Sequence, residues 1–264
     1  IHATNDFTSS DPETAFRAIQ RRNDSNYREA AKKMCPLTGK HISGDKPWLR
    51  KLDDWVIMPA ISQRRCFIVG RGPRLQVMMW SIGGKEWTPL QFCLPAGTLL
   101  LASMVHNPQF LNSNRSQVST AAVVLDVAML GEMDVQNDSY KQRILAAALF
   151  ADSLYREVDK GKAFQASRFP VLPLIVHHPT PLRGVSKVLK RFGQDSMMTT
   201  KQEHLASDLL EAFRWGANCL VVMCIPAGSF RNCMRYQLWF DVGGSGGVTG
   251  ADLSKFVAQW GAII

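Results

Sequence analysis

Cys66-Phe67-Ile68-Val69-Gly70-Arg71-Gly72, Phe92-Cys93-Leu94-Pro95-Ala96-Gly97-Thr98-Leu99-Leu100-Leu101-Ala102-Ser103 and Ala122-Val123-Val124-Leu125-Asp126-Val127 are the stretches that decide the fold. Each holds a short apolar run bounded by turn residues, the signature of a buried β-strand rather than a helix. Working outward, strands are predicted near 55–59, 65–70, 75–81, 98–105 and 121–127. Gly70, Gly72, Gly83, Gly84, Pro95 and Gly97 supply the turns, and 107–119 is a polar loop. Tyr140 to Arg156 reads as a helix with Ile144, Ala147, Ala148 and Ala151 on one face. Val171–Val176 reads as a strand between prolines, Gln202–Phe213 as a helix, and Cys219–Cys224 with Met234–Val242 as a closing pair of strands. A glycine-rich stretch, 243–250, precedes a short terminal helix at Ala251–Trp260. No internal repeat is present. The fold class is α+β.

The chain has 264 residues, 46% hydrophobic and 20% charged, enough for one substantial core or two small ones. No apolar run reaches the roughly 18 residues of a membrane span. A net charge of +9 favours polyanionic partners, nucleic acid first and acidic protein surfaces second. None of the six cysteines forms a C-x-x-C pair, and Cys66, Cys93 and Cys219 lie in apolar runs, which points to buried free thiols. His177-His178 has no carboxylate or cysteine at a useful spacing, so neither a metal nor a cofactor is expected.

Near the N-terminus, Asp11-Pro12-Glu13 marks a helix start: a capping acid, proline at the first helical position and an acid in the first turn. The helix is predicted to run to about Met34, where Cys35-Pro36 stops it. Phe16, Ile19, Asn23, Tyr27, Ala30 and Met34 share one side, and Arg17, Arg21, Arg22, Arg28, Lys32 and Lys33 populate the rest. The expected organisation is a basic amphipathic helix at 1–34, a linker at 35–52, a main domain at 53–242 and a tail at 243–264.

Asp54-Trp55, Arg64-Arg65, Arg71-Gly72, Phe92, Leu94-Pro95-Ala96-Gly97, Thr98-Leu99-Leu100 and Val124-Leu125-Asp126-Val127 occur in an order that resembles the snurportin type of cap-binding domain. That domain is in turn similar to the nucleotidyltransferase domain of mRNA-capping enzymes and nucleic-acid ligases. The resemblance implies antiparallel sheets with flanking helices. It also implies that the reactive groups are gone. The lysine nucleophile of those enzymes falls at Ala60, whose methyl group cannot form a nucleotide adduct. The Asp-Gly-Glu that follows their Thr-Leu-Leu is Leu101-Ala102-Ser103 here, and a third acid falls at Asn218-Cys219. The chain is therefore expected not to be an enzyme.

The same resemblance places a cap-stacking residue in the last strand at Arg235 or Tyr236, with Trp239 and Trp215 nearby. A methylated guanine is cationic and is held best on an electron-rich ring. Phosphates call for several cations, and the candidates are Arg64, Arg65, Arg71, Arg74, Lys85 and Arg231. Trp80 and Trp87 flank Gly83-Gly84-Lys85, an aromatic and basic hairpin that either holds a second nucleotide or caps the sheet edge. The basic N-terminal helix, with Arg17, Arg21, Arg22, Tyr27, Arg28, Lys32 and Lys33, resembles an importin-β-binding segment. The expectation is a non-enzymatic RNA 5′-end or cap-binding adaptor of the cytoplasm and nucleus. Its partners would be RNA and an importin-β-like receptor or other ribonucleoprotein components, with no membrane association. The alternative is an inert structural component of a ribonucleoprotein, for example in mitochondria.

Overall fold

The structure, a computed structural model, describes residues 6–22, 26–32, 55–60, 65–106, 120–159, 168–176, 180–181, 221–226, 228–231 and 238–241. In chain order the elements are a single 3-10 turn (Asp6–Thr8), α1 (Pro12–Arg22), α2 (Tyr27–Lys32), β1 (Trp55–Ala60), β2 (Arg65–Gly70), β3 (Val77–Ser81), β4 (Trp87–Leu90), β5 (Thr98–His106), β6 (Thr120–Leu130), β7 (Met133–Asp134), α3 (Tyr140–Asp159), β8 (Leu174–Val176), β9 (Thr180–Pro181), β10 (Val221–Pro226) and β11 (Leu238–Asp241). The class is mixed α+β, with mostly antiparallel pairing and few helices. Four strands form one sheet in the order β11-β10-β1-β9. The larger sheet runs β4-β3-β2-β5-β6-β7, and β8 lies parallel to β6 beyond it.

The three stretches that open the sequence reading are β2, β5 and β6, the middle of the larger sheet. β2 is buried from end to end and pairs with β5 from Arg65↔Ser103 to Gly70↔Thr98. Between β5 and β6 the register slips twice, leaving Leu125 and Ala128 without a partner in that ladder. Each slip is a bulge that re-phases the strand. Val124, Val127 and Leu130 consequently share one core with Ile68, Leu100 and, from α3, Ala147, Ala151 and Leu154. A strict alternation would have turned Val127 away. At the end of the strand, Gly97 (φ +74) abuts the Gly131-Glu132 turn, whose residues both have positive φ. A Cβ on Gly97 would lie 2.9 Å from the Glu132 amide nitrogen.

α3 starts where the sequence predicts. Gln142 caps its first turn, its side chain accepting from both the Ser139 amide and hydroxyl, one half of a capping box. Below this cap sits a buried ion pair. Arg143 Nε and Nη2 each donate to Asp126 at 2.8 Å, and neither side chain has any exposure. Nη1 donates to the carbonyls of Asp138 and Gly228, so one guanidinium ties β6, the start of α3 and the chain after β10. The Val127 amide also donates to Asp126, and the Tyr140 hydroxyl to the Leu125 carbonyl exposed by the bulge.

The opposite face of the sheet is covered by the N-terminal residues. The predicted single helix is two, α1 and α2, because Asn26 caps the second: its side chain accepts from the Glu29 amide. Polar residues that compete for backbone hydrogen bonds end helices in this way. Nor does this part stand apart as a separate basic helix. Phe16, Ile19 and Tyr27 are fully buried, and the Phe16 and Tyr27 rings meet Phe67 of β2 at 5.6 and 6.5 Å. The Tyr27 hydroxyl donates to Gln136 at 2.7 Å, and its ring meets Phe230 edge-on at 5.2 Å.

Observed strand ends lie within three residues of prediction, β8 being the last three residues of the predicted 171–176 strand, and of the predicted 234–242 strand residues 238–241 are described, as β11. β4 is the second arm of the hairpin read around Gly83-Gly84-Lys85, an edge strand where Pro89 is tolerated, whereas the two-residue strands β7 and β9 were not anticipated. β10 and β11 pair antiparallel, as expected of the closing strands. The predicted linker and the helices at 202–213 and 251–260 lie outside the described residues. No described helix is long and apolar enough to cross a membrane.

Replacing Arg143 with alanine leaves a buried carboxylate with no cation. The loss of stability should be about 3–5 kcal/mol, read as the shift in a denaturant-unfolding midpoint; a loss under about 1 kcal/mol would contradict the role given to the pair.

Candidate functional site

The most concentrated group of charged and aromatic side chains among the described residues lies where α1, α2 and the β3–β4 hairpin meet. Arg28 of α2 projects over three rings: Phe16 at 5.1 Å, Trp80 at 4.8 Å and Trp87 at 5.3 Å. Its guanidinium donates through Nη2 to Glu13 Oε2 at 2.6 Å and through Nη1 to Oε1 at 3.1 Å. Glu13 is steadied from two further sides, by the Trp87 indole N–H at 3.0 Å and by Arg17 Nε at 2.9 Å. The result is an aromatic receptacle with a carboxylate at its mouth, holding a cation.

Its parts are set by the local fold. Glu13 sits in the first turn of α1, placed by Asp11, whose carboxylate accepts from the Glu13 and Thr14 amides. Trp80 and Trp87 are cross-strand partners on β3 and β4. Trp80 is nearly buried and stacks on Phe67 at 5.9 Å, so its other face is left to Arg28. Arg28 and Glu13 are each 27% exposed, which puts the pair at the surface. Burial pushes the Glu13 carboxyl up, but the hydrogen bonds from Trp87, Arg28 and Arg17 outweigh it and hold it below its ordinary 4.5. The buried Nε–H of Arg28 has no acceptor.

The second group surrounds the Gly70-to-Arg74 turn. Arg71, expected to bind phosphate, is 6% exposed and is spent on backbone carbonyls. Nε and Nη2 donate to Gln76, and Nη1 to Ser9 and Ser10. It fastens the chain before α1 to the turn after β2. Beside it opens a hollow of about 540 Å³ between the 72–75 turn and Pro95-Ala96, with Thr8 at the edge.

The other expected phosphate ligands are scattered. Arg65 is buried in β2, where desolvation disfavours its charged form. Arg74, Lys85 and Arg231 are exposed, the first two on different turns and the third on the helical residues 230–231. Arg64, Arg235 and Tyr236 lie outside the described residues. Trp239 is on β11 in register with Met223. Among the residues assigned to the importin-type helix, Arg17 and Arg28 are engaged by Glu13, Arg21 by Asp6 at 3.1 Å, and Tyr27 is buried. Arg22 and Lys32 end α1 and α2, and Lys33 lies outside the described residues.

Of the receptacle, sequence reasoning found the hairpin tryptophans and the arginine but not their meeting. Glu13 was read only as a first-turn acid. Cys66 and Cys93 are buried as expected, their thiols donating to the Ala102 and Phe169 carbonyls, and burial pushes Cys66 up to about 12, while Cys219 lies outside the described residues. Among the described residues no three His, Cys, Asp or Glu side chains form a metal-sized group. The chain matches no known protein family, and no curated protein matches it.

Because the Glu13 carboxyl is lowered in the folded state, its contribution to stability is complete above 4.5 and disappears as pH falls through the folded value. Glu13→Gln should therefore be less stable than the parent at neutral pH, and the gap should close in acid. A gap independent of pH in thermal unfolding would show that the carboxylate's charge is not what matters.

Proposed function

We propose that this chain is a non-enzymatic RNA-binding protein that recognises RNA 5′ ends, built on a degenerate nucleotidyltransferase-like scaffold and working within a ribonucleoprotein. The observation that carries the reading is at β5. Where the resembling enzymes carry acids after Thr-Leu-Leu, Leu101, Ala102 and Ser103 have no exposure at all and lie between β2 and β6. Carboxylates there would be buried charges, so the position supports packing rather than chemistry. Ala60, on β1 in register with Val221, supports the same conclusion. The net charge of +9 supports a polyanionic partner.

The test is binding of the full chain to short RNAs that differ only at the 5′ end (trimethylguanosine cap, monomethyl cap, triphosphate or hydroxyl) at two salt concentrations. Preference for one end is the expected result. Arg74→Ala and Lys85→Ala should each lower the salt slope by about one phosphate contact if they touch the backbone. Equal, strongly salt-dependent binding to all four would sink 5′-end recognition. It would favour the second reading, an inert structural component, which the engagement of Arg17, Arg21, Arg28 and Arg71 within the protein also supports.

An adaptor role with an importin-β-like receptor, and the cytoplasmic and nuclear location it implies, belongs to the first reading; a mitochondrial location goes with the second. Since Tyr27 is buried, receptor binding would require α2 to leave the sheet. A pull-down should then be weak for the intact chain and stronger for Phe230→Ala, which removes the ring that holds Tyr27. Strong capture that Phe230→Ala leaves unchanged would mean that the receptor uses another segment.

A further inference from the structure

The guanidinium of Arg28 presents two N–H groups side by side to the two oxygens of Glu13 and lies over three aromatic rings. Guanine contains the same donor edge: its ring N1–H and exocyclic amine point the same way and match one carboxylate. Methylation at N7 gives that base the positive charge for which electron-rich rings are a good receptor. Adenine lacks the paired donors, and uncharged guanine lacks the cation.

We propose that Glu13, Phe16, Trp80 and Trp87 form a binding site for a 5′-terminal N7-methylated guanine, closed in the resting protein by Arg28 as an internal stand-in. The inference deepens the 5′-end reading above and rests on it for the RNA that carries the base.

The closure is of a kind that opens. What must move is a long side chain, while α2 stays anchored by Tyr27 beneath Phe230. The groups that orient Glu13 when Arg28 leaves are Trp87 and Arg17, and both stay. Arg28 is also an imperfect occupant, since its Nε–H is buried without an acceptor. Its exposure and that of Glu13 bring the site to solvent. A displaced Arg28 exchanges one anion for another, leaving Glu13 for the phosphates that follow the base. The apparent affinity of the resting protein is lowered by the fraction of time the site is filled from within.

The experiment is calorimetric titration of the full chain with N7-methyl-GDP, GDP and ADP, in the parent and in Arg28→Ala. Arg28→Ala should bind N7-methyl-GDP about tenfold more tightly than the parent does, and about tenfold more tightly than it binds GDP. Adding Trp87→Leu should abolish the gain, and adding Glu13→Gln should erase the preference for guanine over adenine. If Arg28→Ala does not fold, Arg28→Gln, which keeps two of the three methylenes and removes the charge, decides. A folded variant that binds N7-methyl-GDP no better than the parent overturns the proposal. Should the parent select one RNA 5′ end, unaffected by Trp87→Leu, while neither Arg28 variant takes up the nucleotide, the site falls and the 5′-end reading stands. Uptake by the variant with no 5′-end selection by the parent does the reverse.

Discussion

The bulged strand β6 and the ion pair it buries set the rest of the structure. Asp126 is on a strand with no exposure from Ala121 to Met129, and an unpaired carboxylate there would cost several kcal/mol. Arg143 must therefore be delivered to it, which fixes where α3 begins and how it lies. Burial pushes the Asp126 carboxyl up, while Arg143 and the Val127 amide pull the other way. The remaining donors of Arg143 then reach the carbonyls of Asp138 and Gly228. That brings Phe230 against Tyr27, and Tyr27 against Phe67. The N-terminal helices are thus held from below by the consequence of one buried charge.

On that face, aromatic contact does what a broad aliphatic core does on the other. Phe16, Tyr27, Phe67, Trp80, Trp87 and Phe230 form a chain of ring contacts with centroid distances of 5.2 to 6.5 Å. Edge and tilted ring pairs contribute about 0.5–1.5 kcal/mol each beyond the area they bury. They also leave electron-rich faces at the seam, and Arg28 fills them. The second clamp, Arg71, acts on the same N-terminal chain through backbone carbonyls alone.

Much of the sheet was legible because apolar runs between glycines leave little choice of secondary structure. β2 was read to the residue, and the buried face of α3 from Ile144 to Ala151. The break between α1 and α2 was not, since Asn26 reads equally well inside a helix until its side chain is seen capping the next one. The extent of β4, read only as a hairpin arm at Trp87, was hidden by Pro89 and by the exposure of an edge strand. The site was half legible. Arg71 looked like a phosphate ligand because a sequence cannot show that the carbonyls of Ser9 and Ser10 will lie beside it. Glu13 and Trp87, 74 residues apart, meet only through the fold, and no local pattern announces such a pair.

β8 adds a constraint on the order of assembly. It is parallel to β6, in register from Ala122↔Leu174 to Val124↔Val176, in a sheet whose other pairings are antiparallel. Antiparallel neighbours such as β2 and β3 close over short turns, so the loop-closure entropy of forming them is small. β8 has no such route. Its partner lies on the far side of α3 in the chain, and the Cys93↔Val171 bridge just before it spans a still longer interval. The strands β2 to β6 pair across intervals that contain no described helix, while β8 gains its contacts only once α3 has docked. Within the larger sheet, the β8 edge should thus close last.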